Sequence, residues 1–156
     1  MRKNHDAFFI DYKKLTLELP TEIELFNPAD MDRYFKTFAI WDTGATISCI
    51  SPNALIKLGL EPIDSIMIEG INSLERCDQV LVHIGLPNMI LVQNIKPAVC
   101  IFSPPDLEFI IGMDIIKTGD FMLSNSNGKS LFSFATPPLP IKINLVDYAQ
   151  KINNEN

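Results

Sequence analysis

Apolar and polar positions alternate in short runs along most of the chain. Leu15, Leu17 and Leu19 alternate with Thr16 and Glu18, and Ile23 and Leu25 alternate with Glu22 and Glu24 after a break at Pro20. A period of two predicts half-buried strands in both places. Residues 38–41 form a continuous apolar run, which predicts a strand buried on both faces. Further strands are predicted over 66–68, 80–84, 90–92, 99–101 and 109–111. The pieces are short and separated by Gly, Pro and Asn, the punctuation of an all-β domain. Two short helices interrupt them. The first has Ser51 as N-cap, Pro52 at the first helical position and Gly59 as its stop. The second is predicted over 113–117, ending at Gly119. The polar end, 148–156, is expected to fray, and 136–140, rich in proline, to be extended.

Composition narrows the class. The 156 residues are 47% apolar and 21% charged, the balance of a globular protein, and the length suits one domain with a real core. A net charge of −6, with no local Lys/Arg cluster, excludes the basic footprint of a nucleic-acid partner. Cys49, Cys77 and Cys100 are widely spaced, with no CxxC pair and no His-rich cluster. They read as three reduced thiols; no metal site and no cofactor is expected. The apolar run 7–10 is too short for a signal-peptide core, and no stretch reaches the roughly 18 apolar residues of a spanning helix. The expectation is a cytoplasmic chain with no membrane partner.

Candidate chemistry concentrates at Trp41-Asp42-Thr43-Gly44-Ala45. An ionisable residue directly follows an apolar strand, a costly place for a carboxylate unless hydrogen bonds or charges compensate. Gly44 lets the backbone turn sharply and bring amide N–H groups toward that carboxylate, and the Thr43 hydroxyl can brace the loop. The triplet alone is also an ordinary turn. The flanks shift the balance, with an apolar strand before it and Ala45 and a second strand over 47–50 after it.

The run WDTGATISCIS, from Trp41 to Ser51, resembles the active-site loop of retropepsin-like aspartic proteases, whose pattern is two apolar residues, Asp, Thr or Ser, Gly and Ala. Phe109-Ile110-Ile111-Gly112-Met113-Asp114-Ile115-Ile116 is similar to the family's apolar-apolar-Gly strand and following helix, which support that loop. The stretch from Gly119-Asp120-Phe121 to Phe132-Ser133-Phe134 resembles the C-terminal part of bacterial single-domain members. Two spaced motifs are far more specific than one. The resemblance implies an all-β, closed or orthogonal β-barrel-like acid-protease (retropepsin) fold with one or two short helices. It divides the chain into an N-terminal strand or hairpin extension (1–34), the protease domain (35–138) and a C-terminal tail (139–156). It implies Asp42, Thr43 and Gly44 as the catalytic loop and Ile110, Ile111 and Gly112 as its support. The family also has a hairpin flap over the substrate, and 66–74 followed by 80–82 matches it. Ala45, Ile68, Gly70, Ile71 and Asn72 are then the substrate-binding candidates, with an ordinary surface hairpin as the alternative.

Peptide hydrolysis without a metal or covalent intermediate takes a base to activate water and an acid to protonate the leaving amine. Two facing carboxylates sharing one proton do both. The chain has no second Asp-Thr/Ser-Gly, and Thr118-Gly119-Asp120 has those residues in the wrong order. A dyad therefore takes Asp42 from each of two chains in an isologous homodimer, with paired Thr43 residues bracing the loops as the resemblance implies. The expected activity is an aspartic endopeptidase, a hydrolase acting on a protein or peptide substrate. The other reading is a catalytically silent dimer of the same fold that binds peptides or serves as a dimerisation domain. Gly128-Lys129-Ser130 is not a P-loop, since Leu123 stands where the first glycine must be. His5 and His83 have no nucleophile partner, Asp114 and Asp120 read as loop braces, and Trp41 as core. Residues 7–26 read as an added hairpin, over the core or at the interface.

Overall fold

A computed structural model describes residues 4–69, 74–103 and 105–155, and these form twelve strands and three helices. The strands are β1 (Asp6–Tyr12), β2 (Pro20–Asn27), β3 (Asp30–Trp41), β4 (Cys49–Ile50), β5 (Asp64–Glu69), β6 (Leu74–Gln79), β7 (Val82–Leu86), β8 (Ile90–Ile95), β9 (Ala98–Val99), β10 (Phe109–Ile111), β11 (Asp120–Ser126) and β12 (Lys129–Thr136). The helices are α1 (Pro52–Leu58), α2 (Met113–Ile116) and α3 (Leu145–Glu155). A three-stranded sheet has the order β1-β12-β11, and a nine-stranded sheet the order β5-β6-β9-β4-β10-β3-β2-β7-β8. Among the described residues no helix is long and apolar enough to cross a membrane.

Period-two patterning places the core between the sheets. On β2, Thr21, Ile23 and Leu25 are buried while Glu22 faces out; on β12, Ser130, Phe132 and Phe134 are buried. Phe132 and Phe134 lie 5.1 and 4.8 Å from Trp41, centroid to centroid, so the two sheets meet at the last residue of β3. Burying aromatic rings of this size contributes about 2–3 kcal/mol each. The Trp41 indole N–H, buried with its ring, donates to Thr21 Oγ1 at 2.9 Å. Trp41 is therefore core, as its sequence context suggested. The β11–β12 hairpin closes through Asn127-Gly128, at φ 51° and 72°, with Ser126 paired to Lys129. Both central residues are left-handed, the two-residue turn whose twist suits a hairpin.

Helix α1 follows its local signals closely. Ser51 accepts the Ala54 N–H, proline opens the helix, and Gly59 closes it in the left-handed region (φ 61°, ψ 41°). Several expectations are corrected. Residues 13–19 are not a strand, and Leu17 is fully exposed. There the Thr16 hydroxyl donates to the Glu18 carbonyl at 2.6 Å, and the Thr16 N–H donates to Ser130 Oγ at 3.1 Å, local bonds that divert the backbone from a ladder. The run 38–41 is a strand, but only one face is buried: Ala39 and Trp41 point in and Phe38 out. Residues 7–26 do not pair with one another, because β1 pairs with β12 and β2 with β3 and β7. Residues 148–155 of the polar end are helical, and α3 buries none of its residues.

Candidate active site

Asp42 stands where β3 ends, and the loop 42–48 carries the chain to β4. Strand β10 fills the gap between them. It runs parallel to β3, with Ile110 beside Ile40 and Ile111 beside Trp41, and antiparallel to β4, with Phe109 beside Ile50 and Ile110 beside Cys49. The loop is tied to β10 at its start and to the first residue of α2 at its middle. The Asp42 N–H donates to the Ile111 carbonyl at 2.9 Å, and the Met113 N–H donates to the Ala45 carbonyl at 2.8 Å. Within the loop, Ala45 N–H donates to the Asp42 carbonyl at 3.2 Å and Gly44 N–H to Asp42 Oδ1 at 2.8 Å. The carboxylate is thus oriented by a main-chain donor two residues on.

Gly44 does not occupy the left-handed region, where Gly59 and Gly128 lie. What it supplies is room, since a Cβ there would stand 3.1 Å from Asp42 Oδ1. The expectation of a buried carboxylate is also corrected: Asp42, Thr43 and Gly44 are exposed on the single chain. They form a ridge between two cavities. One, of about 420 Å³, includes Thr16 to Leu19, Asp42, Thr43, Ile110 and Phe121 in its lining. The other, of about 550 Å³, runs from Gly44 and Ala45 to Cys49 on one side and from Ile66 to Glu69 on the other.

Ala45 and Ile68, two of the substrate-binding candidates, therefore line one cavity, while Gly70, Ile71 and Asn72 lie outside the described residues. The hairpin above it is β5–β6, with Ile66 paired to Cys77 and Ile68 to Glu75. Its return strand is 74–79 and not 80–82. Val82 belongs to β7, is fully buried and pairs with Ile95. The true return strand, LERCDQ, is largely exposed, so a search for apolar runs passes over it.

Two polar anchors were not recognised in the sequence. Buried Ser48 donates its hydroxyl to Asp114 Oδ1 at 2.7 Å and its N–H to the same oxygen at 2.9 Å. Its Oγ accepts the Gly112 N–H at 3.0 Å. Asp114 thus braces the loop, as expected, with Ser48 as the connecting piece. The signal was a lone hydroxyl in the apolar run 47–50, which asks for a partner when buried. Asp120 Oδ2 likewise accepts the Leu139 N–H at 2.7 Å. His83 is buried on β7, its Nδ1 accepting the Asn94 N–H at 3.0 Å, and His5 Nδ1 lies 3.1 Å from the Pro137 carbonyl.

The second anchor is Glu108, buried just before β10. Its carboxylate takes hydrogen bonds from the Ser51 hydroxyl, from Asn53 Nδ2 at 2.6 Å and from Lys57 Nζ at 2.5 Å, so it ties α1 to the approach of β10. Burial raises its pKa, but the bonds from Lys57, Ser51 and Asn53 outweigh that and hold it below the usual carboxylate value. A depressed folded-state value means a stabilisation present above the unfolded pKa, about 4.3, and lost as pH falls through the folded one. Glu108→Gln is expected to cost about 2 kcal/mol near neutral pH. The gap in melting temperature between the variant and the native chain should begin to narrow as pH falls past the unfolded value and close below the folded one; a gap that stays constant into acid would refute the assignment.

No family model and no curated protein matches the sequence. Among solved structures, a retropepsin-like aspartic protease from Rickettsia conorii matches 87% of this chain and 98% of its own, with a TM-score of 0.54 and 14% identity. The protease of simian foamy virus (mac) matches 64% of this chain and 92% of its own, with a TM-score of 0.44 and 21% identity. The chain is an all-β protein with a retropepsin-like fold.

Proposed function

We propose that the chain is an aspartic endopeptidase, active as a homodimer in which each copy contributes Asp42. The observation that carries this reading is the setting of that carboxylate: exposed at a strand end, oriented by Gly44 N–H, and standing between two cavities. A second copy, its own Asp42 facing this one, would remove both from water, and like charges that close share one proton. The ionised member takes a proton from the attacking water, and the protonated member serves the carbonyl oxygen and the leaving amine. Thr43, exposed beside Asp42, would meet its counterpart across the two-fold axis of that dimer. Ile110, Ile111 and Gly112 hold the loop from behind, and Ala45 and Ile68 line the groove that receives the peptide, with Gly70, Ile71 and Asn72 assigned to the flap above it. The Asp-Thr-Gly-Ala motif and the retropepsin-like fold support the assignment.

The test is cleavage of a diverse peptide library by the verified dimer, read by mass spectrometry across about pH 4 to 8. The expected result is a defined set of cuts with a bell-shaped pH profile whose optimum lies on the acid side of neutrality. A flat profile would remove the shared proton from the mechanism. A folded dimer that makes no cuts would leave a peptide-binding or dimerisation module of the same fold.

A further inference from the structure

Three thiols far apart in sequence meet at the junction of β4, β9 and β6. Strand β9 lies between the other two, with Ala98 paired to Cys49 on one side and to Gln79 on the other. Cys100 follows β9, and its N–H donates to the Ile50 carbonyl at 2.9 Å. Extending the antiparallel register of Gln79 and Ala98 by two residues sets Cys77 opposite Cys100. Lateral partners and residues two apart share a face, so all three side chains emerge together. Cys49 and Cys77 both lie close enough to Cys100 to shift the acidity of its thiol. Each is half-buried and none is in a disulfide. Cys49 also lines the 550 Å³ cavity under the β5–β6 hairpin, which gives a small oxidant a route to it.

The three differ in acidity. The neighbouring Cys100 draws the Cys49 thiol below its ordinary value, while Cys49 in turn raises Cys100, and burial raises Cys77. Acidity and access govern thiol oxidation, and Cys49 combines a lowered pKa with a place in the cavity wall. Among the described residues, no three His, Cys, Asp or Glu side chains are arranged to hold a metal ion, so the cluster is not read as a metal site.

We propose that this cluster is an oxidation site, in which hydrogen peroxide entering the cavity joins Cys49 to Cys100 as an intrachain disulfide. The Cys49 thiolate attacks one peroxide oxygen and the O–O bond breaks. The departing hydroxide takes up the proton that Cys49 released and leaves as water, with Cys49 now a sulfenic acid. The Cys100 sulfur then attacks the Cys49 sulfur, the S–O bond breaks, and the hydroxyl leaves with the Cys100 proton as a second water. The two thiols give up two electrons and the peroxide gains them. The bond ties the strand leaving the Asp42 loop to β9 and removes a thiol from the cavity wall. The inference stands apart from the peptidase reading, because thiol chemistry is read without turnover.

The experiment treats the reduced full chain with hydrogen peroxide, alkylates the remaining thiols and maps the peptides by mass spectrometry. The expected result is loss of labelling at Cys49 and Cys100, appearance of their cross-linked peptide, and Cys77 still labelled. Cys77→Ser should form the cross-link at an unchanged rate. In Cys100→Ser, Cys49 should stop at the sulfenic acid and be trapped by dimedone. Full labelling of all three thiols, disulfides only between chains, or a Cys77–Cys100 cross-link in place of the expected one would each overturn the proposal.

Discussion

Asp42→Asn should abolish peptide cleavage, by about 10⁴-fold, and leave the folded chain intact. The substitution is nearly isosteric, and a carboxamide oxygen can still accept the Gly44 N–H that now reaches Asp42 Oδ1 at 2.8 Å. The side chain is exposed on the single chain, so the fold does not depend on its charge, and unfolding free energy should change by no more than about 0.5 kcal/mol. What the amide cannot do is take a proton from water or share one with its counterpart. Cleavage by both proteins, with circular dichroism and a urea titration as controls, separates chemistry from folding. Turnover at the native rate in the variant would end the aspartic-protease assignment.

The second large effect is expected at Gly112, for a reason that has nothing to do with backbone freedom. Its φ of −94° and ψ of −173° suit any residue. The obstacle is space. A Cβ there would stand 2.6 Å from the Ile47 carbonyl carbon, 2.7 Å from its oxygen and 2.8 Å from the Ser48 nitrogen. All three are main-chain atoms, and that segment is held in turn by the bond from Ser48 N–H to Asp114 at 2.9 Å and from Ala98 N–H to the Ser48 carbonyl at 3.0 Å. Gly112→Ala should therefore cost about 3 kcal/mol. Because the displaced segment is the far end of the Asp42 loop, cleavage by the molecules that remain folded should fall about 100-fold. Gly128→Ala is the control. Its φ of 72° carries a backbone penalty of about 1 kcal/mol, but a Cβ there meets nothing within 4 Å, and activity should be untouched. A Gly112→Ala chain as stable and as active as the native one would disprove this account of the loop.

What could be read in advance was what neighbouring residues decide among themselves. Ser51, Pro52 and Gly59 write α1 within nine positions, and the apolar run ending at Gly112 marks β10 and the turn into α2. What could not be read depended on residues brought from elsewhere. Leu15, Leu17 and Leu19 have the strand period, yet Ser130, arriving from β12, takes the amide of Thr16. The return strand of the β5–β6 hairpin is polar because it is largely exposed, and period-two burial leaves no trace there. Glu108 looked like one acidic residue among many, since its three partners sit on and before α1. Asn127-Gly128 carries a local hairpin signal, and it overlaps the Gly128-Lys129-Ser130 run that is no P-loop. At the candidate site, Asp42 and its Gly44 donor were local and legible. Its exposure was not, because which surfaces cover a strand end is settled by packing rather than by the strand.

The threading of β10 between β3 and β4 has a consequence for how the chain is born. Phe109 must find Ala39 in parallel and Ile50 in antiparallel pairing, and neither partner is near it along the chain. Contacts of this kind are slow to close, and a ribosome adds only about 5–20 residues each second. The Asp-Thr-Gly segment is therefore outside the exit tunnel for seconds before its strut exists. A nascent chain that has not yet reached Phe109 carries the whole signature triplet and none of the architecture that aims it. On the proposed peptidase reading, the site cannot be assembled in a nascent chain before β10 and α2 have been made, nor before a second copy has joined it.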